Sequence, residues 1–186
     1  VGISISNLRP SSAIIYNKEL YTIVKCEHSK LARGAAFCRT KLKNMRTGSV
    51  REVTLRDSDD IQQAFIEQRK LQFLYSEGSI LHFMDLESYQ DFILSADAVA
   101  QYQGLFKDNL ELTGLFYQDE LINLILPKTV DLKVTETEPG VQGDTVKSAN
   151  KPATLETGLK ISVPLFVKSG MIIKVDTENK EYAGKL

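Results

Sequence analysis

An all-β chain folded as three small β-barrels is what this sequence predicts, on three observations. Short runs rich in Val, Ile, Thr, Tyr and Phe recur along its 186 residues, separated by Gly, Pro, Asn and Asp turn signals. These runs fall into three clusters, residues 1–62, 63–126 and 127–186, each the size of a small barrel. The clusters also differ in charge. The first holds 11 Lys/Arg against 6 Asp/Glu (+5), the second 3 against 10 (−7) and the third 9 against 8 (+1), so the overall −1 conceals a basic first third beside an acidic middle. That asymmetry points to a polyanionic partner for the first third alone. Barrels this small bury a modest share of their surface, so contact between neighbours is expected to add stability.

The first cluster supplies two hairpins. "ELYTIVKCE" (19–27) has strand composition, and "FCRTKLK" (37–43) alternates strictly. Side chains on a strand switch faces at every residue, so Phe37, Arg39, Lys41 and Lys43 share one surface and Cys38, Thr40 and Leu42 the other. "SKLARG" (29–34) forms the tip of the first hairpin. "NMRTG" (44–48) forms the tip of the second, before "VREVTL" resumes the strand pattern. The acidic "DSDD" at 57–60 is a polar break.

In the middle cluster, "IQQAFIEQRKLQFLY" (61–75) has enough helix formers to read as a helix. The Gly-bearing "SEGS" and the apolar "ILHFMDL" that follow make a hairpin the better reading. "SADAVAQYQGLF" (95–106) is the one helix candidate, short, with Ser95 at its N-cap. "LELTGLFYQDELINLILP" gives two strands around a "QDE" turn. In the last cluster, "TVDLKVTETEPG" alternates through Val130, Leu132 and Val134, and "LKISVPLFV" and "MIIKVDT" are strands. The polar stretch 138–158 reads as a long, Gly/Pro-punctuated loop.

Composition narrows the function. With 42% hydrophobic and 25% charged residues the chain reads as globular, and no apolar run approaches the roughly 18 residues that cross a bilayer. The opening "VGISISNLRPSS" lacks the layout of a signal peptide, so a cytoplasmic protein without a membrane partner is expected. Cys26 and Cys38 are too few for a disulfide framework and lack zinc-signature spacing; two reduced thiols are expected, although a hairpin would bring them near each other. There are two histidines, His28 and His82, and no HExxH, GxSxG or phosphate-loop pattern. No catalytic set, metal site or cofactor is therefore expected. Binding chemistry has better support. Lys and Arg contact phosphates, Arg adds a planar fork of donors, and an aromatic on a basic strand face suits nucleic acid. A solvated sheet edge would carry the same pattern.

The third cluster adds a more specific signal. "KPATLETGLKISVPLFVKSG" (151–170) resembles the C-terminal signature of the bacterial elongation factor P family at Lys151, Ala153, Gly158, Ile161, Val163, Pro164, Val167 and Gly170. "KLKNMRTG", "LQFLY", "FMD" and "ETEPGVQGDT" are similar to the same family, so the resemblance spans essentially the whole chain. It implies an L-shaped, tRNA-like arrangement: an N-terminal KOW-like barrel (1–62) followed by two OB-folds (63–126 and 127–186). It also implies a non-enzymatic translation factor that binds the ribosome, through rRNA and ribosomal proteins, between the peptidyl-tRNA and exit sites. There the family relieves stalling at consecutive prolines.

Site residues follow from the same resemblance. In the family the first hairpin tip carries one basic residue toward the peptidyl-transferase centre, and Arg33 stands at that position here. Lys30, Leu31, Ala32 and Gly34 flank it; Arg33 and Gly34 match the family tip, whereas Leu31-Ala32 replaces the usual Pro-Gly. Some Arg-type members are rhamnosylated, which makes a transferase acting on Arg33 a partner to consider. Gly143, Asp144 and Thr145 match a loop placed near the exit-site codon, bringing mRNA in as a partner. Tyr182 and Lys185 match positions near tRNA, and Arg39, Lys41 and Lys43 complete the expected RNA-contacting set. A divergent paralogue with other stalling motifs, or a non-ribosomal β-barrel module binding RNA or protein, are the alternatives.

Overall fold

The computed structural model describes residues 2–29, 36–139 and 150–186. It is almost entirely β, with three five-stranded sheets. In the first, β1 (Ala13–Tyr16), β2 (Glu19–Ser29), β3 (Phe37–Asn44), β4 (Val50–Arg56) and β5 (Ile61–Gln63) take the order β4-β3-β2-β1-β5. The second comprises β6 (Glu67–Glu77), β7 (Ile80–Asp85), β8 (Asp91–Ser95), β9 (Glu111–Tyr117) and β10 (Glu120–Ile125), ordered β10-β9-β6-β7-β8. The third comprises β11 (Thr129–Thr137), β12 (Asn150–Leu155), β13 (Lys160–Pro164), β14 (Ile172–Asp176) and β15 (Tyr182–Lys185), ordered β13-β12-β11-β14-β15. Among the described residues no helix is long and apolar enough to cross a membrane.

By packing, the chain divides into two compact units. One comprises Val1–Arg69 with Gly114–Asn123, the other Lys70–Thr113 with Leu124–Leu186. The first unit holds two apolar clusters. Ile5, Leu8, Ile14, Tyr21, Ile23, Cys38, Leu42, Leu55 and Ile61 fill the interior of the first sheet. Leu20, Met45, Ala64 and Ile122 form a second cluster, which brings the β9–β10 hairpin onto that sheet. Each fully buried aliphatic side chain stabilises by about 1.5–3 kcal/mol relative to exposure. Polar contacts fix the same junction. Asn44 is buried, and its Oδ1 accepts from the backbone N–H groups of Arg46 and Thr47, which shapes the β3–β4 turn. The turn then presents Arg46 to Glu120 in a two-bond fork, 2.8 Å per bond, while Asn123 Nδ2 donates to the Met45 carbonyl at 2.6 Å. Arg69 donates to Glu67 and Asp119, with its guanidinium 4.5 Å from the Phe116 ring centre.

In the second unit, β11 serves two neighbours. Residues 129–133 pair with β14 and residues 134–137 with β12, with an irregularity at Val134/Glu136 between them. A bulge there bends the strand and curls the sheet. The alternation at Val130, Leu132 and Val134 is real; all three are buried with Val163, Val167, Ile173 and Val175. The 151–170 signature proves to be largely structural. Ala153, Ile161, Val163 and Val167 are core residues, and Gly158 and Gly170 turn the chain at φ +80° and +87°. Lys151 is buried with its Nζ donating to the Glu138 carbonyl at 2.6 Å.

Several expectations change in detail. The "long loop" 138–158 contains β12, because Lys151, Ala153 and Leu155 alternate inward with Pro152 confined to the outer face. The Ser95 helix is a 3₁₀ segment, Ala96–Tyr102, broken at Val99; Ser95 does cap it, accepting from the Asp97 N–H. Two hairpin turns use no glycine: Asn17-Lys18 and Gln118-Asp119 all have positive φ, the geometry a two-residue hairpin turn demands. The strands flanking them hold these residues there.

The Arg46–Glu120 pair has a pH signature. The guanidinium hydrogen bonds hold the Glu120 carboxyl below its ordinary value. Its contribution is therefore complete above the unfolded carboxylate pKa of about 4.3 and is lost as pH falls through the lower folded value. Both side chains are more than half exposed, so the gain is only a few tenths of a kcal/mol. Glu120→Gln is expected to lower stability slightly at pH 7, and urea titrations at pH 7 and pH 2.5 should show that difference disappearing in acid.

Candidate nucleic-acid interface

The register of β2, β3 and β4 determines which charges share a surface. Residues 37–44 alternate without exception: Cys38, Thr40, Leu42 and Asn44 are buried, and Arg39, Lys41 and Lys43 are exposed. Phe37 is half-buried on the same outer face, with the Arg39 guanidinium 6.0 Å from its ring centre. Across the ladder, Lys25 stands opposite Lys41 and Glu27 opposite Arg39 on one side; Glu52 faces Lys41 and Arg56 faces Phe37 on the other. The outer face therefore carries five cations (Lys25, Arg39, Lys41, Lys43 and Arg56) and two carboxylates (Glu27 and Glu52).

Lys25 and Arg56 were not anticipated from the single-strand pattern. Lys25 lies just past the register shift between Ile23 and Lys25, which disrupts the alternation of β2 in sequence. Glu27 and Glu52 were likewise missed, and they soften the positive field. Lys25 donates to Glu27 and, with Arg39 adding to the effect, holds that carboxyl below its usual range. Lys41 and Lys43 project from the middle of the ladder into solvent. A phosphate backbone would meet a strip of ammonium and guanidinium groups that an aromatic ring flanks at one end.

The strip runs along the stem of the hairpin whose strands end at Ser29 and restart at Phe37. Lys30, Leu31, Ala32, Arg33 and Gly34 lie outside the described residues, as do Gly143, Asp144 and Thr145. Tyr182 and Lys185 lie on β15 in the other unit. Tyr182 is half-buried, edge-on to Phe166 with ring centres 6.3 Å apart, and Lys185 is exposed. Tyr182 is thus anchored by an aromatic contact with an exposed neighbour, a feature that spacing alone did not reveal.

One expectation is overturned at the same hairpin. Cys26 and Cys38 are a disulfide rather than two free thiols, with Cα atoms 6.3 Å apart. Cys26 is paired with Thr40 and Cys38 with His28, so the two cysteines are diagonal neighbours on one face of adjacent strands. Twelve positions of sequence separate them, and only the hairpin register closes that gap. A cross-link over a loop of this size stabilises by about 3 kcal/mol in the chain-entropy view.

Comparison with known proteins places this geometry in a family. Models of the elongation factor P KOW-like domain, OB domain and C-terminal domain match residues 4–61, 66–124 and 130–185. An elongation factor P from Natranaerobius thermophilus is 43% identical over 180 residues, covering 97% of this chain and 96% of that one.

The chain belongs to the elongation factor P family.

Among solved structures, it is similar to eukaryotic translation initiation factor 5A from Methanococcus jannaschii. The TM-score is 0.56 at 17% identity, over 68% of this chain and 92% of that one. An eIF-5A family protein from Naegleria fowleri gives 0.50 at 15%, over 68% and 98%. At such identities the two structures speak to the β-barrel fold alone. As a member of the elongation factor P family, the chain is a translation elongation factor, and the all-β architecture expected from its strand pattern is the one observed.

The outer face of β3 yields a direct test. Converting Arg39, Lys41 and Lys43 together to Gln removes three of the five cations without touching the core. Ribosome affinity should fall, and the slope of log affinity against log salt should flatten by up to about 0.7–0.9 for each phosphate that is no longer neutralised. An unchanged slope would identify the face as a solvated edge.

Proposed function

We propose that this elongation factor P family member binds the ribosome between the peptidyl-tRNA and exit sites and stimulates peptide-bond formation at stalled consecutive prolines. The observation that carries the reading is the cationic outer face of β3, the strand that follows the Arg33 segment in sequence. The resemblance of the tip sequence to the family supports the rest of the reading, in which Arg33, flanked by Lys30, Leu31, Ala32 and Gly34, is the tip residue directed at the peptidyl-transferase centre. Residues 1–62, 63–126 and 127–186 act as the three domains, a partition that the three matched spans support.

The physical need is specific. Proline is a secondary amine with φ locked near −65°, so it is hard to bring into attack geometry. A factor that restrains the peptidyl-tRNA lowers the entropic part of the barrier, while the ribosome makes the bond. In this reading the factor is not an enzyme, requires no cofactor and works in the cytoplasm. Arg39, Lys41 and Lys43 contact rRNA phosphates, with ribosomal proteins nearby, and Tyr182 and Lys185 meet the tRNA. Gly143, Asp144 and Thr145 read the exit-site mRNA codon. An acidic residue aimed at RNA makes sense if it accepts from base amino groups or 2′-hydroxyls. A transferase that modifies Arg33 completes the set of partners. The Leu31-Ala32 departure from Pro-Gly favours a second reading, a divergent paralogue with a shifted set of stalling motifs.

Two measurements separate these readings. Arg33→Ala is expected to abolish relief of stalling on a Pro-Pro-Pro reporter with the melting temperature unchanged. Normal relief by the variant would remove Arg33 from the mechanism. Loss confined to non-proline stalling motifs would favour the paralogue. Asp144→Ala combined with Thr145→Ala should leave melting unchanged and weaken relief to an extent that varies with the exit-site codon. A drop of several degrees in melting, with a defect no larger than the loss of folded protein, would make that loop structural.

A further inference from the structure

The two cysteines share their site with a third donor. Cys26 and His28 lie two positions apart on β2 and so face the same way, and the register sets Cys38 of β3 directly opposite His28. The Cys26 Sγ atom, a ring nitrogen of His28 and the Cys38 Sγ atom all lie within 4.8 Å of one another. His28 Nε2 is 3.3 Å from Cys26 Sγ and 3.3 Å from the Leu8 carbonyl oxygen. Burial grades across the trio: Cys38 is buried, Cys26 half-buried and His28 exposed. A disulfide needs only the two sulfurs. An imidazole converging on the same pair completes a Cys₂His donor set with one side open to water.

We propose that, once the disulfide is reduced, Cys26, His28 and Cys38 bind one Zn²⁺, with a water in the fourth position. Two thiolates and an imidazole are the donors zinc prefers, at about 2.3 Å to sulfur and 2.0–2.1 Å to nitrogen. A tetrahedral site of those dimensions sets its donors about 4 Å apart. Cys26 Sγ and His28 Nε2, 3.3 Å apart, already stand near that spacing, and the two sulfurs separate to it once the bond between them is reduced. The balance is simple. A dithiol reductant delivers two electrons and two protons to the disulfide, giving two thiols. Binding then releases two protons as both thiols become thiolates on the metal, and no further redox change occurs. The sequence spacing hides the site, because the ligands come from two different strands, β2 and β3. Either cross-link, disulfide or zinc, ties β2 to β3.

The test uses the full chain, reduced with a phosphine under anaerobic conditions. Titration with Co²⁺ is expected to give a thiolate-to-metal charge-transfer band in the near ultraviolet. Competition for Zn²⁺ against a chelating dye should show one ion per chain. Cys26→Ser should abolish most of the band, and His28→Ala should weaken Zn²⁺ binding by at least about tenfold. Cys38 is buried, and its variant could fail to fold; the two more accessible positions keep the test decisive. Oxidised protein should bind none. If the reduced chain gives no charge-transfer band, or binds Zn²⁺ no better than Cys26→Ser, the trio is a redox pair with a neighbouring histidine and the proposal fails.

Discussion

The antiparallel register of β2, β3 and β4 is the constraint on which the molecule's chemistry depends. A strand has a side-chain period of two, so a slip of one residue would turn every side chain to the opposite face. Here the register is held by an inner row of Cys38, Thr40, Leu42 and Asn44, all buried. Moving Arg39 or Lys41 inward would bury an unpaired charge, at a cost of several kcal/mol per ion. The core thus specifies the surface, and the cation strip exists because its alternate residues are needed inside.

A second constraint is size. A sheet of five short strands encloses a small core, and the first unit supplements it with the β9–β10 hairpin. Leu20, Met45, Ala64 and Ile122 provide the apolar part of that junction. The Arg46–Glu120 fork and the Asn123–Met45 bond orient it. In the second unit, Gly104 has φ +80° and a Cβ placed there would approach Leu159 to 3.2 Å. Its carbonyl accepts from the Thr157 hydroxyl at 2.6 Å, so the chain after the 3₁₀ segment is held close to the β12–β13 turn. Two buried polar side chains take part in the same way: Asn44 accepts from the Arg46 and Thr47 N–H groups, and Lys151 donates to the Glu138 carbonyl.

The antiparallel pair β2 and β3 concentrates two features that arise from one geometry. Its outer face carries the cations and its inner face the Cys26–Cys38 link, and both depend on which residues of β2 stand opposite which residues of β3. Diagonal cross-linking stiffens the pair without using the outer face.

The all-β class, most of the strands and the sidedness of β3 were legible in the sequence, because alternation and turn residues are local properties. The family was legible too, through Lys151, Ala153, Gly158, Val163, Pro164 and Gly170, whose spacing is fixed by the third sheet they build. What sequence could not provide is whatever pairs residues distant in the chain. Residues 150–155 read as loop because their partners, β11 and β13, lie on either side in space. Lys25 and Arg56 joined the basic face only through cross-strand register. Cys26 and Cys38 read as free thiols from their number and the expected compartment; the hairpin that brings them near each other was legible, but the diagonal register that sets them together was not. Local periodicity therefore determined which side of each strand is wet, and tertiary register alone decided which charges, sulfurs and imidazoles became neighbours.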